Sequence, residues 1–404
     1  MADVTVYGAP WCPDCRRAKK FLAEQRVPYD WVDIDLDPAG LHTVEELQSG
    51  GRTIPTVVFP DGGHLVDPSN DELARRLGLA LEAKRRFYDL AIVGGGPAGL
   101  AAAIYAAREG IDAIVVDRGG LGGQAGVTER IDNYPGFPEG VGGAELADRF
   151  IAQAHRYGVE LLPAVAVEGI RHDGDDLCLA LSTGRKIAAH AVLVAPGSTY
   201  KRLGAPGEDE LIGAGVHFCA TCDGPFYRGS KELLVVGGGN SALEEGTFLT
   251  QFTDLVRVVS RGAELTGSRL LVDRVQDDPR IAVHLNSEVV RLGGKGRLEE
   301  VVIRDRDSGA ETALHPAAAF VFIGLQPNTG FLRGIADLDE HGFIRTDDRF
   351  RTGRDGLFAA GDARHGATKQ LGSAVGDGIA SLLAIREYLR EHHHLMTPEA
   401  VEVS

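Results

Sequence analysis

Five cysteines occur in this 404-residue chain, and four of them fall into two Cys-x-x-Cys pairs, Cys12-Pro13-Asp14-Cys15 and Cys219-Ala220-Thr221-Cys222. That spacing suits two chemistries: reversible dithiol–disulfide exchange, or half of a zinc site from each pair. Each pair has a local context that favours exchange. Cys12 follows the strand-like Val4-Thr5-Val6-Tyr7 and opens a helical pattern. It therefore sits at a helix N-terminus, where the macrodipole lowers a thiol pKa and makes the sulfur nucleophilic. Cys219 and Cys222 stand shortly before a glycine-rich turn. The fifth, Cys178, lies in a Leu-Cys-Leu-Ala strand pattern and reads as a buried small hydrophobe. His392-His393-His394 follows the last helical pattern and reads as a solvated tail, so no metal is expected.

Electrons must reach such pairs from somewhere, and two glycine turns supply the means. Tyr88–Val93 reads as a buried strand ending in Gly94-Gly95-Gly96-Pro97-Ala98-Gly99, with an alanine-rich helix after it. A second strand, Ala113–Val116, ends in Asp117. Gly94 makes the tight turn, Gly96 admits a pyrophosphate, Gly99 permits close helix packing, and Asp117 is placed to accept a ribose hydroxyl. The grammar recurs at Leu233–Val236 and Gly237-Gly238-Gly239-Asn240-Ser241-Ala242, followed by a strand over Leu255–Val259. Here Ser260-Arg261 replaces the acid. An arginine pairs with a 2′-phosphate, so Arg261, with Arg269 as support, points to NADPH. A hydride donor and a dithiol need a flavin between them, which assigns the first turn to FAD. Gly361-Asp362, at the end of a third strand, offers a carboxylate to the flavin's ribityl or phosphate arm.

The bulk composition agrees with this. A formal charge of −16 disfavours nucleic acid and anionic lipid as partners, and no run approaches the length of a membrane span. With no basic-then-apolar leader, the expectation is a cytoplasmic protein. The fold class expected is α/β: a thioredoxin fold over residues 1–80, a linker over 81–87, then two Rossmann-like units.

Residues 88–392 resemble low-molecular-weight thioredoxin reductase. Cys219-Ala220-Thr221-Cys222-Asp223-Gly224 carries most of the likeness, supported by Gly122-Gly123-Gln124, Asn133-Tyr134-Pro135-Gly136, Pro327-Asn328-Thr329 and Gly361-Asp362. The resemblance implies an FAD domain over 88–203 and 330–404, an NAD(P)H domain over 204–329, and a homodimer. It implies that Gly123, Gln124, Asn133 and Gln370 join the flavin site. It further implies that Cys222 lies nearest the flavin, that Cys219 attacks the outgoing disulfide, and that Asp223 protonates the departing thiolate. One domain would rotate against the other between half-reactions. Three positions depart from the family's pattern: Ser260-Arg261-Gly262 in place of His-Arg-Arg, Ala195-Pro196-Gly197 in place of Ala-Thr-Gly, and Lys369-Gln370-Leu371 in place of Arg-Gln-Ala.

Residues 1–80 resemble glutaredoxin, and most closely its mycoredoxin branch, through Gly51-Arg52-Thr53-Ile54-Pro55-Thr56-Val57 and Asp67-Pro68-Ser69-Asn70-Asp71-Glu72. The resemblance implies a cis Ile54–Pro55 bond and reduction of mixed disulfides of low-molecular-weight thiols such as glutathione or mycothiol. Thioredoxin-like pairs lie near −270 mV and glutaredoxin-like pairs near −200 to −230 mV, so transfer from Cys219/Cys222 to Cys12/Cys15 is downhill by roughly 2–3 kcal/mol. The reading that follows is a relay from NADPH through FAD and both pairs to an external protein or low-molecular-weight disulfide. Two alternatives stand beside it: a peroxiredoxin reductase similar to the alkyl hydroperoxide reductase flavoprotein, and a flavin-bound redox sensor with little turnover.

Overall fold

The computed structural model describes residues 4–9, 12–25, 27–126, 128, 131 and 133–392; of residues 13, 16, 20, 24, 221 and 222 only the backbone is described. At the N-terminus, β1 (Val4–Gly8), α1 (Pro13–Glu24), β2 (Tyr29–Asp33), α2 (Pro38–Leu47), β3 (Thr56–Val58), β4 (His64–Val66) and α3 (Asn70–Arg76) follow one another. The sheet runs β2-β1-β3-β4, with β1 parallel to β2 and antiparallel to β3. This is the expected thioredoxin fold. Ala18, Phe21 and Leu22 recur at helical spacing on α1 and are buried together with Val4, Val6 and Val57 of the sheet. A Ser69–Glu72 capping box opens α3.

The segment after α3 is not a free tether. Leu81 is buried, Glu82 pairs with Arg185 at 2.6 Å, and Arg85 pairs with Asp112 at 2.6 Å. The Lys84 backbone N–H donates to Glu160, which also accepts from the Tyr88 hydroxyl. Residues 81–87 are thus stitched to the domain that follows.

That domain is built from β5 (Phe87–Val93), α4 (Pro97–Arg108), β6 (Ala113–Val116), α5 (Gly123–Gly126), α6 (Gly143–Arg156), β7 (Glu160–Leu162), the hairpin β8 (Val167–Asp173) and β9 (Asp176–Leu181), and β10 (Lys186–Val194). Its sheet runs β7-β6-β5-β10-β9-β8. The strands β7, β6, β5 and β10 are parallel and near-continuously apolar, as strands covered on both faces must be. Cys178 is buried in β9.

The chain then enters a second compact unit, residues 198–326 together with the described residues of 129–141. It comprises β11 (Ser198–Tyr200), α7 (Glu208–Leu211), β12 (Val216–His217), α8 (Ala220–Asp223), β13 (Ser230–Val236), α9 (Asn240–Leu249), β14 (Thr253–Val259), α10 (Arg269–Asp277), β15 (Ile281–His284), β16 (Ser287–Gly293), β17 (Glu300–Asp305), β18 (Glu311–Leu314), β19 (Ala319–Val321) and β20 (Leu325–Pro327). A parallel sheet β12-β19-β13-β14-β15 is joined by an antiparallel sheet β16-β17-β18. This repeats the design of the first nucleotide fold. The remaining elements, β21 (Leu357–Ala359) and α11 (Leu371–Glu391), return to the first unit, where β21 pairs with β10 and α11 lies along α4.

Candidate active site

At the first glycine turn β5 delivers the chain into α4. Gly94 has φ +112°, and a Cβ there would overlap the Ala195 carbonyl. A Cβ at Gly99 would overlap the Gly94 carbonyl oxygen, so the helix sits directly on the turn. Gly96, the N-cap of α4, has no side-chain cap, and a Cβ on it would meet only the Gly123 Cα within 4 Å. First-turn N–H groups without a side-chain cap and this open approach suit a phosphate. Pro97 occupies the first turn of α4, where its missing N–H costs nothing.

Asp117 binds the turn itself. Its carboxylate accepts the Gly95 N–H at 2.5 Å and the Gly119 N–H at 2.7 Å, while burial pushes its carboxyl pKa up. Gly123 and exposed Gln124, on α5, lie against Gly96 through Gly123. Gly361 abuts the Ala98 side chain, and a Cβ on Gly378 of α11 would overlap the Ala98 backbone. The Asp362 carboxylate makes no hydrogen bond among the described residues, and burial pushes its pKa up despite Lys369 nearby. A carboxylate held that way suits a hydroxyl donor from a ligand. Lys369, in the left-handed region at φ +58°, donates to the Asp362 and Arg364 carbonyls and lies 4.2 Å from the Phe343 ring. Next to it, Gln370 is the N-cap of α11. These residues form one cradle that fits FAD. Asn133 belongs by its contacts to the second unit, so the first unit's own fold does not bring it to the glycine turns.

The second turn repeats the geometry with different supports. Gly239 caps α9 without a side chain, and the Asn240 side chain accepts the Ser268 N–H at 2.6 Å. Ser241 is exposed in the first turn of α9. Buried Ser260 lies under Gly238, and exposed Arg261 follows it. The Arg261 guanidinium has no ion-pair partner among the described residues, whereas Arg269 faces Asp273 at 3.7 Å. Arg306, just past β17, donates to the Arg261 carbonyl at 2.9 Å and likewise has no acidic partner among the described residues. Sequence reasoning missed Arg306 because it lies 45 residues away. Its only signal is a basic residue in a hairpin turn.

The two dithiol sites differ. Cys12 is the N-cap of α1; the Cys15 N–H donates to its sulfur at 3.2 Å, and the Cys12 thiol faces the Ile54 carbonyl at 3.8 Å. The Ile54–Pro55 bond is cis. Both thiols are free and buried, Cys15 almost completely at 1% exposure. Burial, then hydrogen bonding with Cys12, pushes the Cys15 thiol up to about 12. A Cβ on Gly8 would collide with the Cys15 sulfur and Trp31, so this glycine makes the room for Cys15. Arg17 anchors α1 by donating to the Pro68 carbonyl at 2.8 Å and pairing with Asp14 and Asp67.

Cys219 is disulfide-bonded, and the Cys222 side chain lies outside the described residues. The Asp223 N–H donates to the Cys219 carbonyl at 3.1 Å, closing the short helix α8. Asp223 faces Nδ1 of buried His217 at 3.4 Å, and His217 Nε2 meets the Tyr227 hydroxyl at 2.7 Å. On α9, Glu245 accepts from the Ala220 backbone, and burial pushes its carboxyl up.

Residues 88–378 match the model of the pyridine nucleotide-disulphide oxidoreductase family, nearly three-quarters of the chain. The chain belongs to that family. Residues 4–65 separately match glutaredoxin. Thioredoxin reductase of Bacillus subtilis is 36% identical over 310 residues, covering 76% of this chain and 97% of the relative. The crystal structure of thioredoxin reductase from Streptococcus pyogenes aligns with a TM-score of 0.71 at 36% identity, over 76% of this chain and 99% of that one. Thioredoxin reductase from Giardia duodenalis aligns with a TM-score of 0.70 at 31% identity, over 76% of this chain and all of the other. The protein is therefore a flavin-dependent pyridine nucleotide-disulfide oxidoreductase with a fused glutaredoxin-like domain, in a family that uses FAD and NADPH and acts on thioredoxin-like disulfides. Among the described residues, no helix is long and apolar enough to cross a membrane, and no group of three or more His, Cys, Asp or Glu side chains is placed to hold a metal ion.

Proposed function

We propose that this chain is a self-contained disulfide relay, in which the Cys219/Cys222 pair reduces the fused Cys12/Cys15 pair and Cys12 reduces an external disulfide. The supporting observation is Cys12 itself: a nucleophile at a helix N-cap, backed by the Cys15 N–H, in the same chain as the reductase. FAD, when bound, supplies what cysteines lack, a group that takes a hydride from NADPH and passes two electrons to a disulfide.

The chain's own residues do the rest. Uncapped N–H groups at the start of α4 hold the pyrophosphate, and the Gly96 approach keeps side chains out of its way. Asp117 fixes the turn, and Asp362 accepts a hydroxyl. Arg261 and Arg306 recognise the 2′-phosphate of NADPH. In the relay, thiolate Cys219 attacks the Cys12–Cys15 disulfide and Asp223 protonates the leaving sulfur. Cys222 then closes the disulfide with Cys219, leaving Cys12 and Cys15 reduced. Glu82, Lys84 and Arg85 hold the linker to the flavin domain, and in this reading the two pairs meet through motion of the nicotinamide unit or in a homodimer. The final acceptor is a mixed disulfide of a protein and a low-molecular-weight thiol, in the cytoplasm.

Steady-state reduction of a mixed protein–thiol disulfide under NADPH tests the relay. Cys12→Ser is expected to abolish it while flavin bleaching by NADPH persists; undiminished reduction of every mixed disulfide tried contradicts it. Arg306→Ala is expected to raise the NADPH KM about 10-fold and leave that for NADH unchanged; an equal change for both nucleotides removes Arg306 from the phosphate site.

A further inference from the structure

One buried titratable group stands beside the reductase disulfide without a part in the relay above. His217 ends β12, two residues before Cys219, and only 8% of its surface is exposed. Its ring packs 5.4 Å from the Phe320 ring of β19 and 5.4 Å from that of Tyr227. Its two nitrogens are both engaged: Nδ1 faces Asp223 Oδ2 at 3.4 Å, and Nε2 meets the Tyr227 hydroxyl at 2.7 Å. When Asp223 is ionised and the imidazole neutral, a proton on Nδ1 faces the carboxylate and Nε2 is left to accept from the tyrosine O–H. The three side chains then form one directed chain, Tyr227 to His217 to Asp223.

We propose that His217 is a positioning residue for the Cys219 exchange: it holds the Asp223 carboxylate in place. This rests on the reading of Asp223 as the acid. In the exchange, the Cys219 thiolate forms a bond to one sulfur of the incoming disulfide as that disulfide breaks. The departing thiolate takes the proton from the Asp223 carboxyl. Asp223 regains a proton from the Cys222 thiol, whose thiolate attacks the Cys219 sulfur and releases the second product as a thiolate. Two electrons leave the enzyme's dithiol and no proton is gained or lost overall. Asp223 thus works in both protonation states.

The titratable groups facing this chain are few. Asp223 comes from α8, Tyr227 from the turn after it, Cys219 from the loop between β12 and α8, and Glu245 from α9 at the Ala220 end of α8. Phe320 contributes only apolar surface.

The test uses the full-length holoenzyme carrying Cys12→Ser and Cys15→Ser, so that turnover falls on Cys219, with 5,5′-dithiobis(2-nitrobenzoic acid) as the probe disulfide. His217→Leu is expected to slow probe reduction about 10-fold at pH 7. His217→Asn, whose amide N–H stands where Nδ1–H stood, is expected to restore most of the rate. His217→Gln reaches towards Tyr227 instead and is expected to behave like the leucine variant. Bleaching by NADPH stays unchanged in all three. If His217→Leu fails to fold, the asparagine–glutamine contrast alone decides. A wild-type rate in His217→Gln or His217→Leu, or equal losses in Asn and Gln, overturns the role of His217. A wild-type rate in Asp223→Asn overturns instead the reading of Asp223 on which it rests.

Discussion

The two Cys-x-x-Cys sites of this protein solve one problem by different means. At Cys12 the thiolate is supported by backbone: an α-helix of 12 residues starts at the next position, and the Cys15 N–H donates to the sulfur. Its partner thiol is buried and stays protonated. At Cys219 the helix is a single turn of 4 residues, too short for much macrodipole, and acid–base side chains gather instead. A backbone-supported site depends little on its neighbouring side chains. A side-chain-supported site can be tuned by its neighbours and gated with the domain that carries it.

The sharpest way to break this contrast is to remove each nucleophile. Cys219→Ser is expected to lower NADPH-dependent disulfide reduction roughly 1000-fold or more with every probe, because electrons then have no route out. Cys12→Ser is expected to lose about 100-fold or more on mixed disulfides yet keep reduction of 5,5′-dithiobis(2-nitrobenzoic acid) at Cys219. Stopped-flow assays with both probes distinguish the two; undiminished reduction of mixed disulfides in Cys12→Ser would mean that the sites do not act in series.

A smaller effect separates the acids. Asp223→Asn is expected to slow exchange at Cys219 about 100-fold, whereas Asp14→Asn, at an exposed position between the N-terminal cysteines, should change exchange at Cys12 by less than about twofold. Equal losses would remove the distinction between backbone and side-chain support. The smallest expected change is in labelling. With Cys15 pushed up to about 12, its thiol is protonated below that value and becomes a thiolate only as pH rises through it. Iodoacetamide at pH 7–9 should therefore modify Cys12 of the reduced enzyme and leave Cys15 untouched, as read by peptide mass; modification of both at pH 8 contradicts the buried-thiol assignment.

The local parts of this architecture were legible in the sequence. Ala113–Val116 is a strand at the limits expected, and both glycine turns lie between a strand and a helix. The first helix starts at Pro13, because proline fits a first turn and Cys12 itself caps it, as its place at the opening of a helical pattern implied. Helix α2 starts at Pro38, because Asp37 caps it through the Ala39 and Gly40 N–H groups. What sequence could not show is long-range pairing. The linker over 81–87 is held by Asp112, Glu160 and Arg185, which lie 27 to 103 residues from their partners. Arg306 was invisible for the same reason, since strand pairing alone brings it to Arg261, 45 residues away; His217 lies close in sequence to Asp223 and Tyr227 but belongs to no spacing motif.

The central claim, that the pairs are connected in series, is tested most directly by counting thiols. Fully oxidised enzyme is treated anaerobically with excess NADPH, quenched in acid and alkylated, and each cysteine is quantified by peptide mass. The relay predicts new thiols at Cys12, Cys15, Cys219 and Cys222 in the wild type, and none at Cys12 or Cys15 in Cys219→Ser. A Cys12–Cys15 disulfide that survives in the wild type, or that is reduced in Cys219→Ser, would contradict it.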